Sequence, residues 1–242
     1  MAEQKKEHIY TTLAKTSKEK VEPTQSLGQA QAKPRKFFFA GPTGSGKTTL
    51  AGYFPKPHLL DSEQGADSIP FPVPTTQITN WKALFDLFSQ IQKLDFTSFV
   101  WNDLTTTAFI LQREVAKAAG RLVPELQDRG VAAEHLRSLI LQLFMEEFAG
   151  KNIVLIAQTQ LIRSELLDNL LYQPVLPGTM GSEIPPFCDE VWRFEAMNDK
   201  FYVNTSSDGM WPWIKSRKGL KGRHEVTGPE KIKEFLKKGG IL

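Results

Sequence analysis

The stretch that decides the fold is Gly41-Pro42-Thr43-Gly44-Ser45-Gly46-Lys47-Thr48. It matches the phosphate-binding loop pattern G-x-x-x-x-G-K-[S/T] at every constrained position. The apolar run at residues 36–40 is typical of a buried strand in a parallel sheet, and residues 48–53 can open a helix. Because strand, glycine-rich loop and helix are the context that this motif requires, the sequence predicts an α/β fold.

The loop also predicts a site for ATP and Mg²⁺. Its glycines let the backbone approach phosphates closely, and its N–H groups and the helix end can cradle the anion. We expect Lys47 to reach the β- and γ-phosphates and the Thr48 hydroxyl to hold Mg²⁺. The predicted nucleotide-binding residues are Gly41, Pro42, Thr43, Gly44, Ser45, Gly46, Lys47, Thr48 and Thr49.

Composition limits the class of protein. The chain has 242 residues, 24% of them charged, and a formal net charge of +3, which permits nucleic-acid binding without arguing for it. The single cysteine, Cys188, excludes an intrachain disulfide, and we expect it to be a small buried residue. No apolar run approaches the ~18 residues of a membrane span, and the N-terminus lacks a signal-peptide hydrophobic region. We therefore expect a soluble cytoplasmic protein.

Three segments differ in composition. Residues 1–35 are polar and predict a flexible N-terminal arm, with Ile9-Tyr10 as a candidate apolar anchor on a neighbouring subunit. Residues 36–228 predict the folded core. Residues 229–242 predict a short amphipathic C-terminal helix that ends at a glycine.

Strand and helix patterns alternate within the core, which favours a mainly parallel sheet with crossover helices. Besides residues 36–40, the predicted strands are 57–61, 98–103, 151–158, 190–195, 200–204 and 211–215. The predicted helices are 80–93, capped by Asn80, 104–119 and 133–149. Glycines and prolines predict a long functional loop at 160–186, and Asn198-Asp199 predicts a hairpin turn.

Two strands end near acidic residues that suit phosphate chemistry. Asp103 ends an apolar strand, where an acidic residue can orient Mg²⁺; it can also cap the following helix. Glu63 lies just beyond the strand at 57–61, where a carboxylate can activate the water that attacks the γ-phosphate. Asp61 is the competing candidate, although it lies nearer the sheet and can instead fix the loop.

Gln158 ends the predicted strand at 151–158. An amide at this position can contact the γ-phosphate and report its presence to the following segment. Thr159 and Gln160 are the alternatives for this role.

These features together resemble the RecA family of recombinase ATPases. The similarity rests on the phosphate loop and on residues 60–67, 99–104 and 155–158, which resemble the segments of that family carrying the catalytic glutamate, the magnesium aspartate and the coupling glutamine. The resemblance implies a RecA-like P-loop core: a central, mainly parallel sheet flanked by helices, with short antiparallel strands towards the C-terminus. The small core is most similar to the core-only bacteriophage recombinases that act in single-strand annealing. Leu104 departs from the pattern, since the family often has Ser or Thr there.

The resemblance further implies partners and DNA contacts. It implies self-association into a filament or ring, single-stranded DNA as ligand, and a single-strand-binding protein as a further candidate partner. It places DNA-binding loops at 121–130 and 160–180, and it gives Lys215 and Arg217 a role at the γ-phosphate of the adjacent subunit. Candidate DNA contacts are Arg121, Arg129, Arg163, Tyr172, Lys218, Lys221 and Arg223. For the last three residues, a solvated basic face is the alternative.

Three other functions stay open on the sequence. A helicase or packaging motor would need stronger tracking loops or an added domain. A nucleotide-switched adaptor without DNA work is compatible with the few basic residues in the loops. A small-molecule kinase would usually show an arginine-rich lid, which residues 160–186 lack.

Overall fold

A computed structural model describes residues 34–145, 148, 150–164 and 169–242. The strands are β1 Lys36–Ala40, β2 Pro57–Asp61, β3 Thr75–Gln77, β4 Ser98–Asn102, β5 Asn152–Ala157, β6 Thr159–Ser164, β7 Asn169–Pro174, β8 Glu190–Met197, β9 Lys200–Asn204, β10 Lys215–Ser216 and β11 Arg223–Glu225. The α-helices are α1 Lys47–Gly52, α2 Trp81–Gln90, α3 Leu104–Ala118, α4 Leu126–Leu143, α5 Met180–Phe187 and α6 Pro229–Lys238. Short 3-10 helices cover Gly65–Ser68 and Ile91–Lys93.

The central sheet has nine strands in the described part of the chain. Its order is β11-β9-β8-β1-β5-β4-β2-β3, with β10 paired to β8. The six strands from β8 to β3 are parallel, whereas β9, β10 and β11 pair antiparallel. The predicted fold class, a largely parallel sheet with antiparallel C-terminal strands, is therefore confirmed.

Helices cover both faces of this sheet. Because successive side chains of β1 point to opposite faces, β1 contributes to the hydrophobic core on each side. Phe38 packs in the cluster that contains buried residues of α2, α3, α4 and α5. Phe37 and Phe39 pack on the other face, with buried residues of α1 and α6. The strand that leads into the phosphate loop is thus fixed on both sides by apolar packing.

The segment at 160–186 is not the long loop that the sequence predicted. Strands β6 and β7 form a separate two-stranded hairpin, and α5 follows it. Glycines and prolines suggested a loop, but residues 159–163 and 170–172 are rich in aliphatic, β-branched and aromatic side chains that suit strands. Pro185 and Pro186 lie in the last turn of α5. Because proline has no backbone N–H to continue the helical hydrogen bonds, the helix ends at Phe187.

Other boundaries shift in the structure. Helix α4 begins at Leu126 and ends at Leu143, earlier at both ends than the prediction of 133–149. The predicted strand at 211–215 is reduced to β10, while β3 and β11 were not predicted. Each of these strands has three residues or fewer and lies at or near a sheet edge, so no periodic pattern marks it.

Both local predictions at the C-terminal end are confirmed. Asn198 and Asp199 have φ angles of 53° and 58°, the left-handed pair of a tight hairpin turn between β8 and β9. Helix α6 begins at Pro229 and is followed by Gly239.

Most of the predicted N-terminal arm, together with Ile9-Tyr10, lies outside the described residues. Within the described part, Arg35 contacts the core: its guanidinium donates to Glu190 Oε1 at 3.3 Å and to the Gly240 carbonyl at 3.2 Å. None of the described helices is long and apolar enough to cross a membrane. Cys188 is buried, and burial raises the pKa of its thiol to about 12, as expected of a small core residue.

Candidate nucleotide-binding site

The phosphate loop lies at the carboxyl end of β1, between β5 and β8, and leads directly into α1. Gly44 and Gly46 have φ angles of 75° and 85°, which side chains rarely adopt. At Gly41 a Cβ atom would lie 2.4 Å from the Phe194 carbonyl oxygen, so the loop passes against β8 without room for a side chain. The backbone therefore explains why glycine occupies these positions of the motif.

Lys47 is folded against its own loop. Its ammonium donates to the carbonyls of Gly41 at 3.0 Å and Pro42 at 2.7 Å. Burial lowers the pKa of Lys47 to about 8, although the carboxylates of Asp103 and Glu63 oppose the shift. The ammonium is thus held inside the loop that matches the phosphate-binding pattern, where it can bind a phosphate anion.

Asn102 is a site residue that the sequence analysis missed. The Thr48 hydroxyl donates to Asn102 Oδ1 at 2.7 Å, and Asn102 Nδ2 donates to Asp61 Oδ1 at 2.9 Å. This chain of hydrogen bonds joins the phosphate loop to the ends of β4 and β2. An amide on a fully buried strand beside Asp103 was the available signal, since buried polar groups need partners.

Asp103 caps α3, as the alternative interpretation predicted. Its Oδ1 accepts the backbone N–H of Thr106 at 2.7 Å, while its Oδ2 is buried without a hydrogen-bond partner. Burial raises the pKa of Asp103 to about 7, and the nearby Glu63 carboxylate adds to the shift. The two roles are thus compatible, because one oxygen caps the helix and the other is left for a ligand.

The donors present fit Mg²⁺. Mg²⁺ in nucleotide sites takes one or two protein oxygens together with phosphate oxygens and water. Thr48 and the unpartnered oxygen of Asp103 supply such a set, and a bound cation would offset the buried carboxylate. The described residues contain no group of three or more His, Cys, Asp or Glu that could hold a metal alone.

The structure brings Glu63 and Gln158 together, although 95 residues separate them. Gln158 Nε2 donates to Glu63 Oε1 at 2.7 Å, and the Thr106 hydroxyl donates to the same oxygen at 2.5 Å. Thr159 and Gln160, the alternatives to Gln158, instead belong to β6 and pair with β7.

Asp61 has a different environment from Glu63. It is fully buried, and its two oxygens accept five hydrogen bonds, from the backbone N–H groups of Glu63, Gly65 and Ala66 and from the side chains of Gln77 and Asn102. With its lone pairs committed in this way, Asp61 fixes the loop that carries Glu63, which favours Glu63 as the candidate base.

Lys215 and Arg217 do not lie near the phosphate loop of their own chain. Lys215 is opposite Val191 in β8, and its ammonium donates to the Pro186 carbonyl at 2.8 Å. Arg217 pairs with Asp189 Oδ1 at 2.7 Å, beside the amino end of β1. Both cations therefore lie towards the end of the sheet opposite the phosphate loop, and their role in trans stays a prediction.

The candidate DNA contacts form two groups along the chain. In the first, Arg129 lines a groove, Arg121 donates from Nε and Nη2 to the Asp128 carboxylate, and Arg163 is exposed on β6. Tyr172 stacks on Trp211 with ring centroids 4.4 Å apart, so one face of its ring is covered. This region carries fewer available groups than the sequence predicted.

The second region lies beside β8 to β11. Lys218 and Lys221 are exposed, while Arg223 pairs with Glu195 at 2.5 Å and lies 3.6 Å above the Tyr202 ring. Contacts connect Arg223 to Tyr172 of the first group. Arg193 lies 5.1 Å from the centroid of the Trp211 ring on which Tyr172 stacks, and it pairs with Glu195, as Arg223 does.

Two cavities are relevant to the site, and the smaller one adjoins the phosphate loop. One, of about 230 Å³, begins at Gly46 and Thr49 and is largely apolar; its other walls include Tyr53, Pro70, Phe201 and Pro229. The second, of about 560 Å³, is a groove between α3, α4 and the segment after β7; it is lined by residues such as Thr105, Phe109, Leu126, Arg129, Leu176 and Pro177.

The fold and this site together define a P-loop nucleotide-binding protein of the α/β class. Residues 33–213 match the family model described as an AAA domain. Because the match covers well over half of the 242 residues, the chain belongs to the AAA domain family and carries a P-loop domain of the ATPase type. A comparison with curated proteins finds no match.

Proposed function

We propose that the protein is an ATPase that binds single-stranded DNA in an ATP-dependent manner and acts in strand annealing or exchange during phage recombination. The observation that carries the proposal is the hydrogen bond between Glu63 and Gln158. It links a candidate base beside the phosphate loop to the residue that precedes the β6–β7 hairpin. A single contact can therefore report nucleotide state to a segment outside the central sheet.

Each step of hydrolysis has a candidate residue. Lys47 and the loop N–H groups bind the phosphates, and Thr48 and Asp103 would hold Mg²⁺, which neutralises phosphate charge when bound. Glu63 takes a proton from the attacking water. The oxygen of that water forms a bond to the γ-phosphorus while the bond between the γ-phosphorus and the β–γ bridging oxygen breaks. Lys47, buried beside the phosphate position, stabilises the charge that the leaving group acquires.

The smaller cavity is suited to the base of the nucleotide. It opens beside Thr49, where the loop passes into α1, and Tyr53 and Phe201 offer aromatic surface for stacking. Phe201 lies against Gly46, since a Cβ atom added there would be 3.4 Å from its ring. The phosphate loop and the cavity are thus one continuous cleft.

The larger groove supports the DNA part of the proposal. Its walls come from both segments that the family resemblance assigned to DNA loops: Arg129 from the first, and Leu176 and Pro177 from the second. Apolar walls with one cation suit stacking of unpaired bases more than tracking of phosphates.

Backbone contacts connect this groove to the nucleotide site. The Gln158 N–H donates to the Thr105 hydroxyl at 3.1 Å, and the Val175 N–H donates to the Gln158 carbonyl at 2.9 Å. Thr105 and Val175 both line the groove. When the Gln158 amide turns from Glu63 to the γ-phosphate, the groove and the base of the hairpin are the first elements to respond.

The decisive experiment compares ATP hydrolysis by wild type and Glu63→Gln, with and without single-stranded DNA, alongside ATP binding. The proposal expects DNA to stimulate the wild type and the variant to lose hydrolysis by about 10²-fold or more while still binding ATP. Hydrolysis that ignores DNA, together with no ATP-dependent DNA binding, would overturn the DNA part of the proposal.

A nucleotide-switched adaptor is the second candidate, and the composition of the groove favours it. Phe109, 55% exposed, and Leu126, 85% exposed, present apolar surface with a single neighbouring cation, Arg129. Such a surface also suits a protein partner. ATP-dependent binding of DNA, absent from an adaptor, separates the two candidates.

A further inference from the structure

Thr106 contacts both acidic residues of the candidate site. It is the third residue of α3, one turn after the cap at Asp103. Its backbone N–H donates to Asp103 Oδ1 at 2.7 Å, and its hydroxyl donates to Glu63 Oε1 at 2.5 Å. No local sequence pattern assigns Thr106 a role, because Thr106 and Glu63 are 43 residues apart and meet only in the fold.

The geometry makes the two oxygens of Glu63 unequal. Both donors, the Thr106 hydroxyl and the Gln158 amide, bond to Oε1. Oε2 accepts no hydrogen bond from the described residues and is the oxygen left to accept a proton. Because Glu63 is exposed, its side chain has rotational freedom that these two donors remove.

We infer that Thr106 is a positioning residue for hydrolysis, whose hydroxyl holds Glu63 with Oε2 directed to the attacking water. This inference rests on the proposed ATPase function and names a residue of the same site. The Gln158 amide is required at the γ-phosphate in the proposed coupling, so it cannot hold Glu63 throughout the cycle. Thr106 is the donor that stays, because its helix is fixed by the Asp103 cap.

The test compares Thr106→Val, which removes the hydroxyl at nearly constant volume, with Thr106→Ser, which keeps it. We expect Val to lower kcat by about 10- to 100-fold, since small displacements of a reacting group cost that much, with KM and ATP affinity within about threefold of wild type. Ser should restore kcat to within about threefold. A merely structural role would move stability or ATP affinity and would not be rescued selectively by a hydroxyl.

Thr97→Val is a matched control, because Thr97 is half-buried near the amino end of β4, at the opposite end of the sheet. It should leave kcat unchanged. Thr106→Ala, which cannot overfill the site, replaces Val if thermal unfolding shows that Val is misfolded.

The outcomes separate this inference from the proposed function. A wild type that does not hydrolyse ATP overturns the proposed function, and the inference falls with it. A wild type that hydrolyses ATP and depends on Glu63, combined with an unchanged kcat in folded Thr106→Val or Thr106→Ala, overturns the inference alone.

Discussion

At the residue scale, the two oxygens of the Asp103 carboxylate have opposite effects on the stability of the protein. Its helix-capping oxygen stabilises α3, whereas its other oxygen is buried without a partner. Burial of a charged group without compensation is unfavourable, and it raises the pKa of this carboxyl from 3.8 to about 7. Between pH 3.8 and about pH 7, the Asp103 carboxyl is therefore protonated in the folded state and ionised in the unfolded state. Stability contributed by this group therefore falls as pH rises through that window.

Asp103→Asn should consequently stabilise the nucleotide-free protein while abolishing activity. Asn caps helices as well as Asp does, and it carries no charge, so we expect about 1–3 kcal/mol of added stability at pH 8. The gain should shrink towards pH 4, where the wild-type carboxyl is protonated too. Chemical denaturation at both pH values measures it, and Mg²⁺-dependent hydrolysis is measured in parallel.

Asp128→Asn is the matched control. Asp128 also lies in the first turn of a helix, but its bond with Arg121 holds the pKa of its carboxyl below the usual value. Its replacement should lower stability at pH 8. If Asp103→Asn were destabilising like Asp128→Asn, the buried carboxylate would not be the strained group that its surroundings indicate.

At the element scale, the sequence predicts what is encoded locally. The phosphate loop, the strand before it and the turn at Asn198-Asp199 depend on neighbouring residues, and each is confirmed. The Asn102 contacts with Asp61 and Thr48 join residues 41 and 54 positions apart, so no local pattern contains them. The β6–β7 hairpin, by contrast, is local in sequence, and it was missed because the prolines and glycines of residues 174–186 suggested a loop.

The turn between β8 and β9 offers a prediction independent of function. Asp199 has a φ of 58°, a left-handed conformation that costs a residue with a Cβ atom more than it costs glycine. Asp199→Gly should raise stability by about 0.5–1 kcal/mol, since Asn-Gly is the preferred pair for this turn. Thermal unfolding measures the change.

Asp86→Gly is the control, because the same substitution at this position should lower stability instead of raising it. Asp86 is exposed within α2, where glycine should cost about 1 kcal/mol. If both variants lost stability equally, the left-handed turn would not account for the effect at Asp199.

The hairpin follows Gln158 directly and carries Arg163, one of the candidate DNA contacts. Replacing residues 162–171 with a short Gly/Ser turn keeps Gln158, the Tyr172–Trp211 stack and the contact of Val175 with Gln158. We expect ATP binding and basal hydrolysis to stay within about threefold of wild type, and ATP-dependent binding of single-stranded DNA to weaken by about tenfold or more.

Fluorescence anisotropy with a labelled oligonucleotide measures this effect. Arg163→Gln, which removes one charge and keeps the hairpin, should give a smaller loss with a reduced salt dependence. Full DNA affinity in the shortened protein would show that the hairpin is not part of the DNA site.

At the scale of the whole molecule, the two ends of the sheet carry different groups. The phosphate loop, Glu63 and Asp103 lie at the carboxyl ends of the parallel strands, whereas Arg217 lies beside the amino end of β1. A cation at that distance cannot act on the nucleotide of its own chain. A head-to-tail assembly, however, places the opposite ends of neighbouring subunits against each other. The separation of these groups is therefore what a role in trans requires.

Mixing two inactive variants tests this arrangement. Glu63→Gln lacks its own base but carries intact cations, while a Lys215→Ala/Arg217→Ala double variant has the reverse defect. In a randomly mixed head-to-tail assembly, about a quarter of the interfaces combine an intact base with intact cations, so we expect up to about a quarter of the wild-type rate. Arg217 is 63% exposed, so releasing it from Asp189 should cost little. ATP hydrolysis with single-stranded DNA measures the recovery, and each variant alone supplies the baseline. An inactive mixture of variants that both fold, bind ATP and assemble would exclude the trans role of Lys215 and Arg217.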